Sequence, residues 1–258
     1  MTSHIHSTAV IDPGAILGDG LEIGPYCVVG PGVRLGDRCR LQSHVVIQGP
    51  TTVGADNEFY SFACIGQRTQ DLKYAGEPTS LEIGDGNTFR EFTTVHRATV
   101  PHGVTRVGSR GNFLSYSHIA HDCLVGDDVI FSNNGTLAGH VEVGDRAVIG
   151  GLTAVHQFCR VGRLAITGGC SKIVQDIPPF MMADGNPGSV RHINLVGLER
   201  AGLEKATVRA IKDAFRILYR SDLNTAQALE KMRGELGEVP EVIQLIDFVA
   251  GSKRGITR

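Results

Sequence analysis

Residues 112–159 read NFLSYSHIAHDCLVGDDVIFSNNGTLAGHVEVGDRAVIGGLTAVHQFC, and they carry one rhythm from end to end. Every sixth residue is aliphatic or aromatic: Phe113, Ile119, Val125, Phe131, Leu137, Val143, Ile149 and Val155. A small residue tends to follow four places later, as at Ser117, Cys123, Gly135, Ala147, Thr153 and Cys159. That small slot lies two places before the next aliphatic, so in an extended chain both side chains point to the same face. Three blocks of six then close one triangular turn, and residues eighteen apart stack on successive rungs about 4.8 Å apart. A fixed short period of this kind is the signature of a β-solenoid.

The same phase runs outward from the stretch. Ile5, Ile11, Leu17, Ile23, Val29, Leu35, Leu41, Ile47, Val53, Phe59 and Ile65 keep it without a slip. It returns at Ile83, Phe89 and Val95, runs again from Val107 to Val161, and fades through Thr167 and Ile173. The residue after the aliphatic is often glycine, as in LGDG, VGPG, IGDG and VGDR. Two interruptions, 67–82 and 99–106, are expected to be loops pushed out of the coil; the second places Pro101 where the repeat wants an aliphatic. Past DIPPF and DGNPG the pattern turns helical. Val208, Ile211, Phe215 and Leu218 form one apolar face, with Arg209, Lys212, Arg216 and Arg220 as a basic stripe beside it. Further helices are expected at about 224–235 and 239–250. The chain therefore divides into a coil at 1–190 and a helical part at 191–258. The repeat resembles that of the hexapeptide acyltransferase superfamily, which implies a left-handed parallel β-helix followed by a small α-helical domain.

Composition sets the outer bounds. A net charge of −2 gives no basic field for nucleic acid. No apolar run approaches the ~20 residues of a membrane span, and the N-terminal residues lack a signal-peptide pattern, so a cytoplasmic protein is expected. There are six cysteines and no CxxC, which argues against a zinc or disulfide framework. Cys27, Cys39, Cys123 and Cys159 fall on the small slot and read as buried hydrophobes.

What the repeat does not require is a set of polar residues on stacked rungs. Histidine is the natural general base near neutral pH, and His121 stands two places after inward-facing Ile119, beside a corner. The eighteen-residue rule puts Gly139 over His121 and Gln157 over Gly139. A glycine there permits close approach, and its N–H can serve a developing oxyanion. His140 adjoins Gly139 and His156 adjoins Gln157, so three rungs converge on one flank. The rival is a metal site on the same fold; His118 and His121 alone make a weak zinc signal, with no third ligand at the right spacing, so no metal is expected.

The strings QDLKYAGEPT, SHIAHDC, LAGHV, AVHQFC and GGCS, followed by helices, resemble the UDP-N-acetylglucosamine acyltransferase family of lipid A synthesis, over essentially the whole chain. The resemblance implies transfer of a 3-hydroxyacyl group from acyl carrier protein to the glucosamine 3-hydroxyl, in a homotrimer. It implies no cofactor beyond the phosphopantetheine that carries the donor. Residue by residue, it makes His121 the general base, Asp122 its orienting partner and Gly139 the oxyanion donor. Asp71 and Lys73 would hold the sugar, and His118, His140, His156 and Gln157 would line the acceptor and thioester region. Gly151 would contact the pantetheine arm, and Gly169, one rung on, would limit the acyl chain. Each of these two follows another glycine (Gly150, Gly168), leaving a shallow groove. Asn194 and Arg200 match the nucleotide end.

The chain departs from the family's N-x-E-G-L-x-R-R-G pattern there, with Val196 for the acidic residue and Ala201 for the second arginine. A modified acceptor such as a 3-amino UDP-sugar is the alternative this raises. The related N-acyltransferase of the later pathway is another; that family usually carries an extra N-terminal uridine-binding domain, whereas here the repeat is running by Ile5. A purely structural solenoid is the third reading, against which the convergence of His121, Gly139 and Gln157 argues.

Overall fold

Strand parity turns the six-residue rhythm into very short strands, most of two residues, separated by tight corners. The structure, a computed structural model, describes residues 2–258. The strands stack into three parallel sheets of 11, 9 and 8 strands, which form the three faces of a left-handed parallel β-helix. Only the last strand of the first face, Ser189–Ile193, runs antiparallel to its neighbour. Partners are eighteen residues apart on ordinary rungs, as in Phe59↔Leu41 and Phe113↔Phe131. The spacing widens at Phe59↔Phe89 and Phe89↔Phe113, where the two loops leave the coil.

The interior is the predicted column of hexad residues. From Ile23 to Val161 the positions of the aliphatic series are buried. Phe59, Phe89 and Phe113 stack face to face at 5.0 and 4.8 Å, and Phe131 closes the stack edge-on at 5.2 Å. Each buried ring contributes roughly 1.5–3 kcal/mol through its area, and its neighbours in the stack add to that. Cys27, Cys39, Cys123 and Cys159 are fully buried. Burial pushes the Cys123 thiol up to about 12 and the Cys159 thiol to about 11, so both are inert packing groups.

Two boundaries differ from the sequence reading. The strands resume at Ser80–Ile83 and Val104–Val107, so the loops are 68–79 and 97–103 rather than 67–82 and 99–106. The reason is that Leu81 and Thr105, both 0% exposed, take the inward slot two places before Ile83 and Val107. At the other end, position 190 falls inside the strand Ser189–Ile193, whose Val190 and Ile193 are buried. Sheet structure thus continues to Ile193, and the first helix starts just beyond.

Four helices follow: α1 (Leu195–Arg200), α2 (Lys205–Tyr219), α3 (Thr225–Leu236) and α4 (Pro240–Ala250). Asn224 and Gln227 make a reciprocal capping box on α3, and Pro240 opens α4. In α2 the expected apolar face is turned inward, with Ile211, Phe215 and Leu218 buried. The C-terminal tail closes the coil: the Arg254 guanidinium donates to the Val174 carbonyl, and buried Asp176 accepts from Ser252 Oγ at 2.7 Å. The first coil is open by contrast, and Ile5, Val10 and Ile16 are 45–62% exposed. No helix is long and apolar enough to cross a membrane.

Candidate active site

From Val107 to Thr167 every block of six turns its corner on a residue in the left-handed region, three places after the hexad residue. Between the second and third faces that residue is Asp122 (φ 58°), then His140 (φ 59°), then Phe158 (φ 65°) on successive rungs. Side chains beside this corner therefore stack along the coil axis.

His121 and Asp122 form the centre. His121 Nδ1 lies 2.8 Å from Asp122 Oδ2, and both side chains are largely buried, at 14% and 9% exposure. Asp122 is held from three sides. Its own N–H donates to Thr105 Oγ1 at 2.8 Å, the Thr99 N–H donates to its Oδ2 at 3.0 Å, and the Val100 N–H donates to its Oδ1 at 3.4 Å. With the Nδ1 proton committed to the carboxylate, the lone pair of His121 is left on Nε2.

Gly139 fits this ring as the stacking rule expects. A Cβ built on Gly139 would lie on the imidazole, 2.5 Å from Nε2, so only glycine lets the ring seat there. The His140 N–H donates to the His121 carbonyl at 3.0 Å and the Phe158 N–H to the Gly139 carbonyl at 3.2 Å, which fixes the three rungs in register. His140 stands edge-on to His121, with ring centres 5.2 Å apart, and stacks on Phe158 at 4.6 Å. Its Nε2 is 3.7 Å from Asp122 Oδ2.

His118 projects from the second face beside this centre. Its Nδ1 is 2.7 Å from Thr94 Oγ1, and burial, with the nearby His121, lowers its pKa. His156 and Gln157 continue the flank as exposed residues, the His156 ring bonded at 3.1 Å to the Gln157 carbonyl.

Asp71 and Lys73 stand on the loop 68–79, where the Lys73 N–H donates to Asp71 Oδ1 at 2.9 Å. Lys73 is exposed and makes no ion pair among the described residues. Gly151 and Gly169 stack on successive rungs, and a Cβ on either would meet nothing closer than 3.4 Å. Gly150 and Gly168 differ: a Cβ there would overlap the Thr167 carbonyl and the Asp184 carboxylate. Packing thus demands glycine at the preceding positions and not at Gly151 or Gly169.

Of the nucleotide-end residues, Asn194 lies at a different corner of the coil from His121. Asn194 Nδ2 donates to the Leu164 carbonyl at 2.8 Å, on the corner between the third and first faces, while its Oδ1 accepts the Gly197 N–H and caps α1. It is 8% exposed, and its amide is spent on structure. Asn194 thereby sets the direction of α1, at whose far end Arg200 is exposed.

One group that sequence reading missed is His96. It is 5% exposed, stands edge-on to His118 at 4.9 Å, and leaves a buried Nδ1 without a partner. Burial, then the neighbouring His118 and His121, brings its pKa down to about 4, so it is neutral. Thr94 and Thr99 were also missed because a loop breaks the eighteen-residue arithmetic there, and Thr105 because a threonine in the inward slot reads as a packing residue. The cation-like grouping in the structure is His121, Asp122 and His140, with ligand atoms within 4.8 Å, rather than His118 and His121. The facing His121 Nδ1 and Asp122 Oδ2, and the two backbone N–H groups on the carboxylate, suit a hydrogen-bonded pair; a cation would have to displace them.

Comparison with known proteins adds the following. Residues 176–257 match the family model described as UDP N-acetylglucosamine O-acyltransferase, domain 2, and residues 2–37 match that of the bacterial transferase hexapeptide. The chain is 49% identical over 255 residues to an acyl-[acyl-carrier-protein]–UDP-N-acetylglucosamine O-acyltransferase of Thiobacillus denitrificans, covering 98% of this chain and 99% of that one. Its fold superposes on LpxA from Acinetobacter baumannii with a TM-score of 0.96 at 44% identity, covering 98% and 99% of the two chains. For the UDP-N-acetylglucosamine acyltransferase of Bacteroides fragilis the TM-score is 0.97 at 36% identity, covering 99% and 100%.

Proposed function

The chain belongs to the UDP-N-acetylglucosamine O-acyltransferase family, and from that premise we propose how its residues carry out the reaction. The protein transfers an acyl chain from acyl carrier protein to the glucosamine 3-hydroxyl of UDP-N-acetylglucosamine, the first step of lipid A biosynthesis. His121 Nε2 takes the proton of that hydroxyl as its oxygen attacks the thioester carbonyl. Asp122 holds the ring in the required tautomer and stabilises the imidazolium. The oxyanion of the tetrahedral intermediate is received by the Gly139 N–H, which meets no acceptor among the described residues. Collapse breaks the C–S bond, and the leaving thiolate recovers the proton from His121. The donor brings its own reactive thioester, so the step needs no other cofactor.

The observation that carries this reading is the His121 ring seated on Gly139, with its Nε2 free and its Nδ1 held by Asp122. Around it, neutral His118 and loop residues Asp71 and Lys73 address the sugar. His140, His156 and Gln157 line the thioester path, and the open Gly151 and Gly169 positions take the pantetheine and acyl chain. Arg200, at the end of the helix that Asn194 caps, serves the nucleotide, and the assembly we infer is a homotrimer. The expected location is the cytoplasm, where acyl carrier protein is available.

Replacing His121 with alanine tests the assignment. Acyl transfer should fall by ~10²–10⁴ while the fold persists; activity within a fewfold of wild type would remove His121 from the base role. Mass spectrometry of the product made from UDP-N-acetylglucosamine and its 3-amino analogue, each offered with 3-hydroxyacyl carrier proteins, decides between O- and N-acylation.

A further inference from the structure

The two loops that leave the coil are tied together beside the catalytic pair, and the tie passes through one residue. Thr99, at the start of the second loop, does two things at once. Its backbone N–H donates to Asp122 Oδ2 at 3.0 Å, the same oxygen that faces His121 Nδ1 at 2.8 Å. Its hydroxyl donates to Thr69 Oγ1 in the first loop at 2.6 Å. Thr69 Oγ1 in turn accepts the Asp71 N–H at 3.1 Å, and Asp71 Oδ1 accepts the Lys73 N–H at 2.9 Å. A continuous line of hydrogen bonds therefore runs from Lys73 and Asp71 through Thr69 and Thr99 to Asp122 and His121.

We propose that Thr99 is a positioning residue that couples the loop carrying Asp71 and Lys73 to the orientation of the His121–Asp122 pair, so that sugar binding on that loop sets the general base. This deepens the function proposed above and rests on it. The hydroxyl bond is short and largely removed from water, since Thr69 is 5% exposed and Thr99 is half-buried. In such surroundings a hydrogen bond holds geometry well. Asp122 has little freedom of its own, being a corner residue with φ 58°, and its carboxylate follows wherever the Thr99 and Val100 amides place it. Other contacts also hold the loops together, among them the His102 N–H to the Pro78 carbonyl at 2.7 Å and the Ser80 N–H to the Gly103 carbonyl at 3.1 Å. Those straps do not touch Asp122, so among the described residues Thr99 alone bonds both to Asp122 and to the first loop.

Thr99→Val keeps the shape and the backbone donor and removes the hydroxyl; Thr99→Ser keeps the hydroxyl. If the coupling holds, T99V lowers kcat about tenfold and raises KM for UDP-N-acetylglucosamine, a loss of the size that slight misplacement of a catalytic group produces. T99S restores most of both, and T69V reproduces the T99V effect. A T99V enzyme with kcat and KM within twofold of wild type and only a lower melting temperature would overturn the proposal, leaving Thr99 as one more strap. His121→Ala is assayed alongside. Its loss of activity combined with an unaffected T99V enzyme overturns the coupling alone, whereas an active H121A enzyme overturns the base assignment beneath it.

Discussion

At the scale of single residues, the site depends on two groups whose environments leave them no choice. Gly139 is the first. Its Cβ position is filled by the His121 imidazole, so Gly139→Ala must turn the ring or move a rung. The expected result is ~10²-fold less acyl transfer, in line with a misplaced catalytic group, at nearly unchanged melting temperature; an active G139A enzyme would mean that the ring is not held where the reaction needs it. This pairing was legible in the sequence, because eighteen residues separate His121 from Gly139 and no loop intervenes. His96 is the second, and it was not legible. An inserted loop lies between it and His118, and nothing in the string VHR marks a buried neutral ring. Its pKa of about 4 has a consequence for stability. An unfolded histidine titrates near ~6.5, so between those values the unfolded chain binds more protons than the folded one. Stability attributable to His96 is therefore intact above about pH 6.5 and falls as the pH drops towards 4, by up to about 3 kcal/mol. Urea unfolding at pH 7 and 4.5 should show H96Q losing less stability than wild type over that interval. Equal losses would mean that His96 protonates without penalty in the folded chain.

At the scale of elements, the repeat and the helices make separate predictions. The six-residue period was readable because each hexad residue is obliged to face one narrow core. Strand starts inside the loops were misread because Leu81 and Thr105 hold the inward slot with no aliphatic four places before them, where Glu77 and Pro101 stand. Within the coil, Gly169 is open while Gly168 is not, so a larger side chain is tolerated only at the former. Gly169→Met should shift donor preference towards a shorter acyl chain. Excluding two methylenes at ~0.8 kcal/mol each costs ~1.6 kcal/mol, a little over tenfold in preference. Competition between ten- and fourteen-carbon 3-hydroxyacyl donors measures it, and an unaltered ratio would place the groove elsewhere. On α2 the basic stripe is exposed, but its members are not equivalent. Arg216 is paired with Asp213 at 2.9 Å, and Arg220 donates to the Arg191 carbonyl and lies over the Phe215 ring. Arg209 and Lys212 make no ion pair among the described residues and line a groove of about 710 Å³ with His192 and Leu195. They are the better-placed cations for an acidic carrier protein. R209E/K212E should slow association with acyl carrier protein and flatten its salt dependence, while transfer from a small acyl-pantetheine donor is unaffected. An unchanged salt dependence would leave the stripe as a solvated face.

At the scale of the whole molecule, one feature of the coil has no use in a single chain. The corner between the first and second faces carries Tyr26, His44, Phe62, Phe92 and Tyr116 on consecutive rungs. Their rings stack at 4.9–5.1 Å in a continuous ridge. The four aromatic carbocycles are 42–58% exposed, and Leu152 extends the same corner at 62%. These corner side chains are exposed rather than turned into the core, so burial inside the coil cannot explain this choice of residues; polar Arg38, Asp56 and Asp128 occupy the same kind of corner on another edge. Contiguous apolar surface of this sort marks an interaction site, and a second copy of the chain is the partner that fits. A parallel neighbour presents the same ridge with the same rung spacing, and a closed ring buries every copy of it. The sequence hinted at neither the ridge nor its continuity, since Phe62 and Phe92 are thirty positions apart with the first loop between them. Phe62→Glu combined with Phe92→Glu should place like charges on adjacent rungs of every copy, leave the buried core untouched, and convert the proposed trimer into monomers at micromolar concentration in sedimentation velocity. If the active site is shared between subunits, acyl transfer should fall with the assembly. A double variant that remains trimeric would move the subunit seam to another edge, and one that is monomeric yet fully active would show that a single chain completes its own site.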